Sequence, residues 1–193
     1  MKNNYLHLLA KQILKVIPKG LSKVRFAKIL YFTHKGLVQK NLSAPNEMEF
    51  IRMPLGPVPV GFKGLDQDPE IKVTEIATSL LIYDKHLYVL QGMKDYFKEA
   101  KLKVIQQISL QLNCLTTTQL VNKAHEEPSW LNHKNGEEYF LERADLEINL
   151  PTSKTTNISS EIDTQHLQAK LVEGMLDDIV DESTSLEYPN SNK

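Results

Sequence analysis

The stretch SKVRFAKILYFTHKGLV, residues 22–38, decides the fold of this chain. Its apolar side chains recur three and four positions apart, which is the period of an α-helix. Ser22 is a residue type that favours helix N-termini, and it directly precedes the periodic region. Because the apolar face is unusually wide, we predict a helix over 24–38 at the centre of the core. Two lines of residues run along this face. The first consists of Ala27, Tyr31, His34 and Val38, and the second, beside it, of Phe26, Leu30 and Leu37.

Further helices and short strands are predicted on both sides of this stretch. An apolar stripe from Tyr5 to Val16 predicts a first helix. Pro18 and Gly20 end it, because proline cannot continue the hydrogen-bond ladder and glycine accepts a left-handed conformation. The remaining predicted segments are strands at 71–77 and 86–90 with a turn at Asp84-Lys85, and helices at 93–112 and 116–127, the last ended by Pro128.

A half-buried strand is predicted over 47–53, where polar and apolar residues alternate. Three prolines follow it closely, at Pro54, Pro57 and Pro59, with Gly56 among them. Since proline lacks the backbone N–H that sheets and helices need, we predict that this segment breaks regular structure and forms a rigid corner.

The predicted fold class is α+β: a helix-dominated single domain that encloses a small antiparallel sheet. We expect this domain to cover residues 1–150. The polar segment PTSKTTNISS, residues 151–160, has little to bury and is predicted to be a linker. Residues 161–182 are predicted to form an amphipathic helix, and residues 183–193 a disordered tail. The apolar stripe of that C-terminal helix consists of Leu167, Leu171, Met175 and Ile179.

The composition fits one soluble domain. A chain of 193 residues with 41% apolar and 24% charged residues can build a buried core, and it is neither disordered nor a coiled-coil rod. No apolar run approaches the length of a bilayer span, and lysines interrupt the apolar pattern near the N-terminus, so we expect neither a membrane span nor a signal peptide. Cys114 is the one cysteine, and its apolar surroundings predict a packed thiol in a reducing, cytoplasmic location.

Positive charge is concentrated at the N-terminus. Residues 1–46 contain nine lysines and arginines and no acid, although the net charge of the whole chain is −1. The first two helices resemble a helix-turn-helix whose basic residues could contact phosphates. The alternative, which we favour, is a core helix whose basic side chains reach the solvent, since few residues here are of the types that read base edges. The basic residues are Lys11, Lys15, Lys23, Arg25, Lys28 and Lys35.

No arrangement of residues points to catalysis. His125 and Glu126 begin a zinc-protease pattern, but Ser129 stands where the second histidine ligand is required. Gly56 and Gly61 have the spacing of a phosphate-binding loop, yet the prolines between them have no N–H to offer a phosphate. We therefore predict that the chain is not an enzyme, with no catalytic residue, no metal and no cofactor.

Three segments, taken in order, resemble one protein family. FAKILYFTH, residues 26–34, is similar to the KLLYFAH helix of the Panacea domain, a family also called SocA-like. LGPV, residues 55–58, resembles the YGPV corner of that family. The segment from Leu120 to Trp130 resembles a family segment in which a histidine precedes proline and tryptophan, here His125, Pro128 and Trp130. The resemblance covers roughly residues 5–148.

The resemblance implies an antitoxin of a bacterial or phage toxin–antitoxin system, which binds and neutralises a cognate protein toxin. Some relatives are adaptors that deliver a toxin to a AAA+ protease, so this role is an alternative, as is a nucleic-acid-binding regulator. No membrane partner is expected, and a homo-oligomer is left open. The motif residues are expected to build the domain or to contact the partner; they are Tyr31, His34, Gly56, Pro57, Val58, His125 and Trp130.

The C-terminal helix is a second candidate contact. The stripe of Leu167, Leu171, Met175 and Ile179 suits an apolar groove on a partner, and the acidic end of the helix suits a basic toxin. Alternatively, the helix docks on the basic N-terminal helices of its own chain. The sequence leaves both arrangements open.

Overall fold

The computed structural model describes residues 4–75, 86–92 and 94–146. Their architecture confirms the α+β class, with the described strands divided between two small antiparallel sheets. The helices are α1 (Asn4–Val16), α2 (Lys23–Gln39), α3 (Glu99–Asn113), α4 (Thr117–His125) and α5 (Pro128–Asn132). The strands are β1 (Leu21–Ser22), β2 (Glu49–Met53), β3 (Gly56–Pro59), β4 (Ile71–Glu75), β5 (His86–Leu90) and β6 (Glu138–Phe140), and three short 3₁₀ segments cover Pro45–Glu47, Phe62–Gln67 and Arg143–Leu146.

Helix α2 is the centre of the core, as its apolar pattern predicts. Fourteen of its seventeen residues are buried, and it contacts α1, α3, α4 and strands of both sheets. Gly20 lies between the end of α1 and strand β1 and has a φ of +84°, a left-handed conformation that glycine adopts without strain. Ser22 occupies the predicted N-cap position, but its side chain makes no capping hydrogen bond. Its backbone instead pairs with β5, so the start of α2 is held by the sheet.

The two sheets have three strands each, in the orders β1-β5-β4 and β3-β2-β6. In the second sheet, Phe50 lies opposite Pro59 on one side and Tyr139 on the other. The prediction that the proline segment breaks regular structure is wrong, because Gly56–Pro59 pairs with β2 as a hairpin. Strand β3 is at the edge of its sheet, where a proline does not interrupt a further row of hydrogen bonds.

Helix α3 begins at Glu99, six residues after the predicted start at Met93. The preceding residues are not helical and are held against α1: Asp95 accepts hydrogen bonds from Lys15 and Gln12, and the Tyr96 amide donates to Gln12. These contacts between distant segments override the local helical pattern.

The predicted helix over 116–127 is shorter and has a different end. Thr116 caps α4 by accepting a hydrogen bond from the Gln119 amide, and the helix ends at His125. Pro128 does not merely terminate it but occupies the first turn of α5, a position where its missing N–H costs nothing. Two helices therefore meet in a corner at residues 125–130.

Several predictions lie outside the described residues: the turn at Asp84-Lys85, the linker 151–160, the helix 161–182 and the tail 183–193. Among the helices that the structure describes, none combines the length and the apolar character needed to cross a bilayer.

Candidate functional site

The outer side of the α4–α5 corner is tied to the turn of the β2–β3 hairpin. The indole N–H of Trp130 donates to the carbonyl of Met53 at 2.9 Å. His125 donates from Nε2 to the carbonyl of Pro54 at 2.8 Å. Both acceptors belong to the end of the hairpin, so the corner and the hairpin form one unit.

An aromatic and cationic surface results, which we call the Trp130 face: Arg52, His125 and Trp130. The imidazole stacks on the indole with ring centroids 4.2 Å apart, and the Arg52 guanidinium lies 4.1 Å from the indole centroid. Arg52 Nε also donates to the Trp130 carbonyl at 2.8 Å. Burial lowers the pKa of His125, while its bond to the Pro54 carbonyl acts in the opposite direction. All three side chains are half-buried, which leaves part of each exposed to a partner.

Gly56 and Pro57 join the hairpin to α2 and α4. Gly56 has a φ of +101°, and a Cβ atom there would lie 2.8 Å from the Cβ of Ala124. The carbonyl of Pro57 accepts a hydrogen bond from Lys28 Nζ at 2.9 Å, and Lys28 is only 1% exposed. Gly56 and Pro57 are buried and hold the hairpin against the two helices, whereas Val58 on the same strand is half-buried.

The inner side of the corner holds a group of polar residues that we call the buried cluster: Tyr31, Lys35, Glu127, Ser129 and Asp145. Glu127 pairs with the Lys35 ammonium and accepts a hydrogen bond from the Tyr31 hydroxyl at 3.0 Å. The Tyr31 hydroxyl also contacts Ser129 Oγ at 3.0 Å, and the Ser129 amide donates to Asp145 at 2.7 Å. Burial raises the pKa of Tyr31 well above its ordinary value, so the phenol stays a neutral donor.

His34 lies apart from both groups, inside the core. It is fully buried and donates from Nε2 to the Pro45 carbonyl at 3.4 Å, which leaves Nδ1 to accept from the Tyr5 hydroxyl at 3.1 Å. Burial lowers its pKa to about 4, so the ring is neutral near pH 7. Of the seven motif residues, the structure thus brings His125 and Trp130 to a surface and places Tyr31 and His34 in the interior.

The basic residues of the N-terminal helices do not form one exposed surface. Lys11, Lys28 and Lys35 are buried. Lys11 pairs with Glu70 at 2.6 Å, and Lys15 pairs with Asp95 at 2.7 Å. Arg25 donates to carbonyls at the end of α3. Because these cations are used for internal contacts, a phosphate backbone would find few of them available, which weakens the nucleic-acid hypothesis.

The surroundings of Cys114 differ from the prediction. The side chain is exposed, because α3 ends at Asn113 and the thiol lies outside the packed face of that helix. Within residues 4–75, 86–92 and 94–146, histidines, cysteines and acids are nowhere grouped in a way that could hold a metal ion.

Sequence reasoning missed Arg52 and Glu127 as members of the site. A signal for Glu127 was present: Lys28 and Lys35 lie in a helix predicted to be central, and a buried ammonium requires an acceptor. The position of that acceptor, 92 residues further along the chain, is not visible in any local pattern.

The Trp130 face contains tryptophan and arginine, two residue types that are enriched at protein interfaces. The family model "Antitoxin SocA-like, Panacea domain" matches residues 26–131, more than half of the chain, and the chain belongs to this family. The resemblance in the three sequence segments is thereby confirmed. No curated protein and no solved structure matches the chain.

Proposed function

We propose that this chain is an antitoxin that neutralises a cognate protein toxin by direct contact in the cytoplasm, with no covalent step of its own. The observation that carries the proposal is the family match over residues 26–131, which includes both α2 and the α4–α5 corner. Membership of an antitoxin-like family supports a toxin as partner at the level of the family. Direct contact, rather than another route to neutralisation, is our proposal.

The Trp130 face is the contact that we propose for the toxin. Tryptophan and arginine are the residue types most enriched where interfaces gain their binding energy. Here both side chains are already held by hydrogen bonds to carbonyls, so little conformational entropy is lost when a partner covers them. The next residue in the chain, Leu131, is 60% exposed and adds apolar surface.

Two alternatives predict different behaviour. A proteolytic adaptor would lower the amount of toxin only when a AAA+ protease is present, whereas an occluding antitoxin leaves it unchanged. A nucleic-acid-binding regulator would bind duplex DNA with an affinity that falls steeply with salt. Acidic side chains of the same chain pair with Lys11, Lys15 and Lys35. This pairing argues against an exposed basic surface and therefore against the nucleic-acid-binding role.

The test uses the product of the open reading frame next to this gene. Expressed alone, that product should stop growth, and co-expression of this chain should restore growth while the two proteins co-purify in equal amounts. If the neighbouring product does not stop growth, or if growth is restored without a complex between the two proteins, direct neutralisation is wrong. Measuring the toxin level with and without the protease separates the adaptor from the occluding antitoxin.

A further inference from the structure

A groove lies between α2, α3 and α4. Its volume is about 340 Å³, which is within the range of cavities that hold ligands or side chains. Phe32, Gly36, Ile108 and Leu112 contribute apolar surface to it. At Gly36 a Cβ atom would lie 2.2 Å from Ile108 Cδ1, so the glycine lets α3 approach α2 closely.

The charges around the groove favour an acidic occupant. Lys35 at the groove is already paired with Glu127 of the buried cluster. Lys40 and Lys123 add two positive charges to the lining, against one further negative charge from Glu126. The remaining polar lining residues are the uncharged Gln39, Gln107 and Gln111.

The described chain ends beside this groove. Gln39, which lines it, donates from Nε2 to the carbonyl of Leu146 at 3.1 Å, and Leu146 is the last described residue. Sixteen residues, 147–162, separate this point from the segment 163–181, the part of the predicted helix 161–182 that carries the apolar stripe. Sixteen residues can span up to about 50 Å when extended, so the segment can reach any part of the groove.

We infer that the groove receives the segment 163–181 of the same chain through its apolar stripe, Leu167, Leu171, Met175 and Ile179. The segment contains five acids and one lysine, which complements the lysines at the groove. Tethering adds an effective concentration in the millimolar range, so even weak contacts suffice for docking. This inference concerns the chain without its toxin and does not depend on the proposed function.

The test measures how quickly N-ethylmaleimide modifies a cysteine at the groove in the full chain. Cys114→Ser removes the native thiol, and Gln111→Cys or Gln107→Cys supplies an exposed thiol at the groove. Leu171→Asp disrupts the apolar stripe and should accelerate modification of the groove cysteine about tenfold, since docking no longer covers it. His166→Asp is the matched control, because in helical register it adds the same charge beside Glu173 and Asp177, away from the apolar stripe, and should leave the rate unchanged.

A cysteine outside the groove, on strand β4, checks that the effect of Leu171→Asp is confined to the groove. Thr74→Cys, exposed on β4, should react at the same rate with or without Leu171→Asp. The inference is overturned if Leu171→Asp leaves the rate unchanged at both groove positions. It is also overturned if protection rises with protein concentration, since a second copy of the chain would then be the occupant.

Discussion

The α4–α5 corner has two sides that are built from different residues of one short segment, HEEPSW at 125–130. On the inner side, Glu127 pairs with the Lys35 ammonium, and Ser129 contacts the Tyr31 hydroxyl. On the outer side, His125 and Trp130 stack on each other and bind the hairpin through its carbonyls. The same segment therefore contributes to folding through one side and presents a surface through the other.

This difference shows how the family motif should be interpreted. A motif residue that is fully enclosed, such as Tyr31, affects a partner only through the stability of the domain. A motif residue on the outer side, such as Trp130, can affect the partner directly. The four predictions below separate these two classes of residue.

The largest effect is expected at the inner side of the corner. Glu127→Ala leaves the buried Lys35 ammonium without its carboxylate and should lower the free energy of unfolding by about 3–5 kcal/mol. Glu126→Ala, at the exposed neighbouring position, should change it by no more than about 0.5 kcal/mol. Chemical denaturation of both variants measures the difference, and equal midpoints would show that the buried pair contributes nothing.

The second effect is a pH dependence from His34. Its pKa is lowered by burial from 6.5 to about 4, so below pH 6.5 the unfolded chain binds a proton that the folded chain does not. This contribution to stability is complete above pH 6.5 and decreases as the pH falls towards 4. Between pH 7 and 4.5 the free energy of unfolding should fall by about 2 to 3 kcal/mol from this group.

Replacing the histidines tests that assignment. His34→Gln should flatten the pH dependence of the unfolding free energy between pH 7 and 4.5, a window above the ordinary pKa values of the carboxyl groups. His125→Gln, at the half-buried outer side of the corner, should retain most of the slope. A slope that persists in His34→Gln would assign the pH dependence to other groups.

An effect of similar size is expected where the hairpin meets α4. Gly56→Ala places a Cβ atom against Ala124 at a φ of +101° and should cost about 2 to 3 kcal/mol of unfolding free energy. Gly136 also has a positive φ, +81°, but a Cβ there would meet nothing within 4 Å. Gly136→Ala should therefore cost only the backbone strain, about 1 kcal/mol. Equal thermal shifts in the two variants would argue against close packing at Gly56.

The smallest effect on stability is expected at Leu131, beside the Trp130 face. Leu131→Asp changes a side chain that is 60% exposed, so the unfolding free energy should change by no more than about 0.5 kcal/mol. If the toxin covers this face, its dissociation constant should rise about tenfold or more. Thr74→Asp, on exposed β4, is the matched control. Unchanged affinity in Leu131→Asp would exclude this surface as the contact.

Local patterns predicted the parts of the fold that depend on local forces. The period of α2 gave its position at the centre of the core, and the two predicted strands β4 and β5 pair antiparallel. The local pattern gave the wrong structure where distant residues decide it. Asp95 and Tyr96 are held out of the helix by their hydrogen bonds to α1. Pro57 is accepted in a strand because that strand is at an edge of its sheet. No local pattern contains the neighbours that cause these results.

The sequence also predicted only part of the candidate site. Tyr31, His34, His125 and Trp130 were selected by their resemblance to a family motif, which does not say which of them reach the surface. The burial of Tyr31 and His34, and the partnership of Arg52 with Trp130, required the complete arrangement of helices and hairpin.

The sequence by itself determined the α+β class, the central helix and the family, because apolar periodicity and an ordered set of motifs are properties of the chain. Only the tertiary structure decided which lysines are paired internally and which motif residues reach the surface. The physical reason is that the cost of burying a charge or a ring depends on what lies across from it, and those partners come from segments up to 98 residues away.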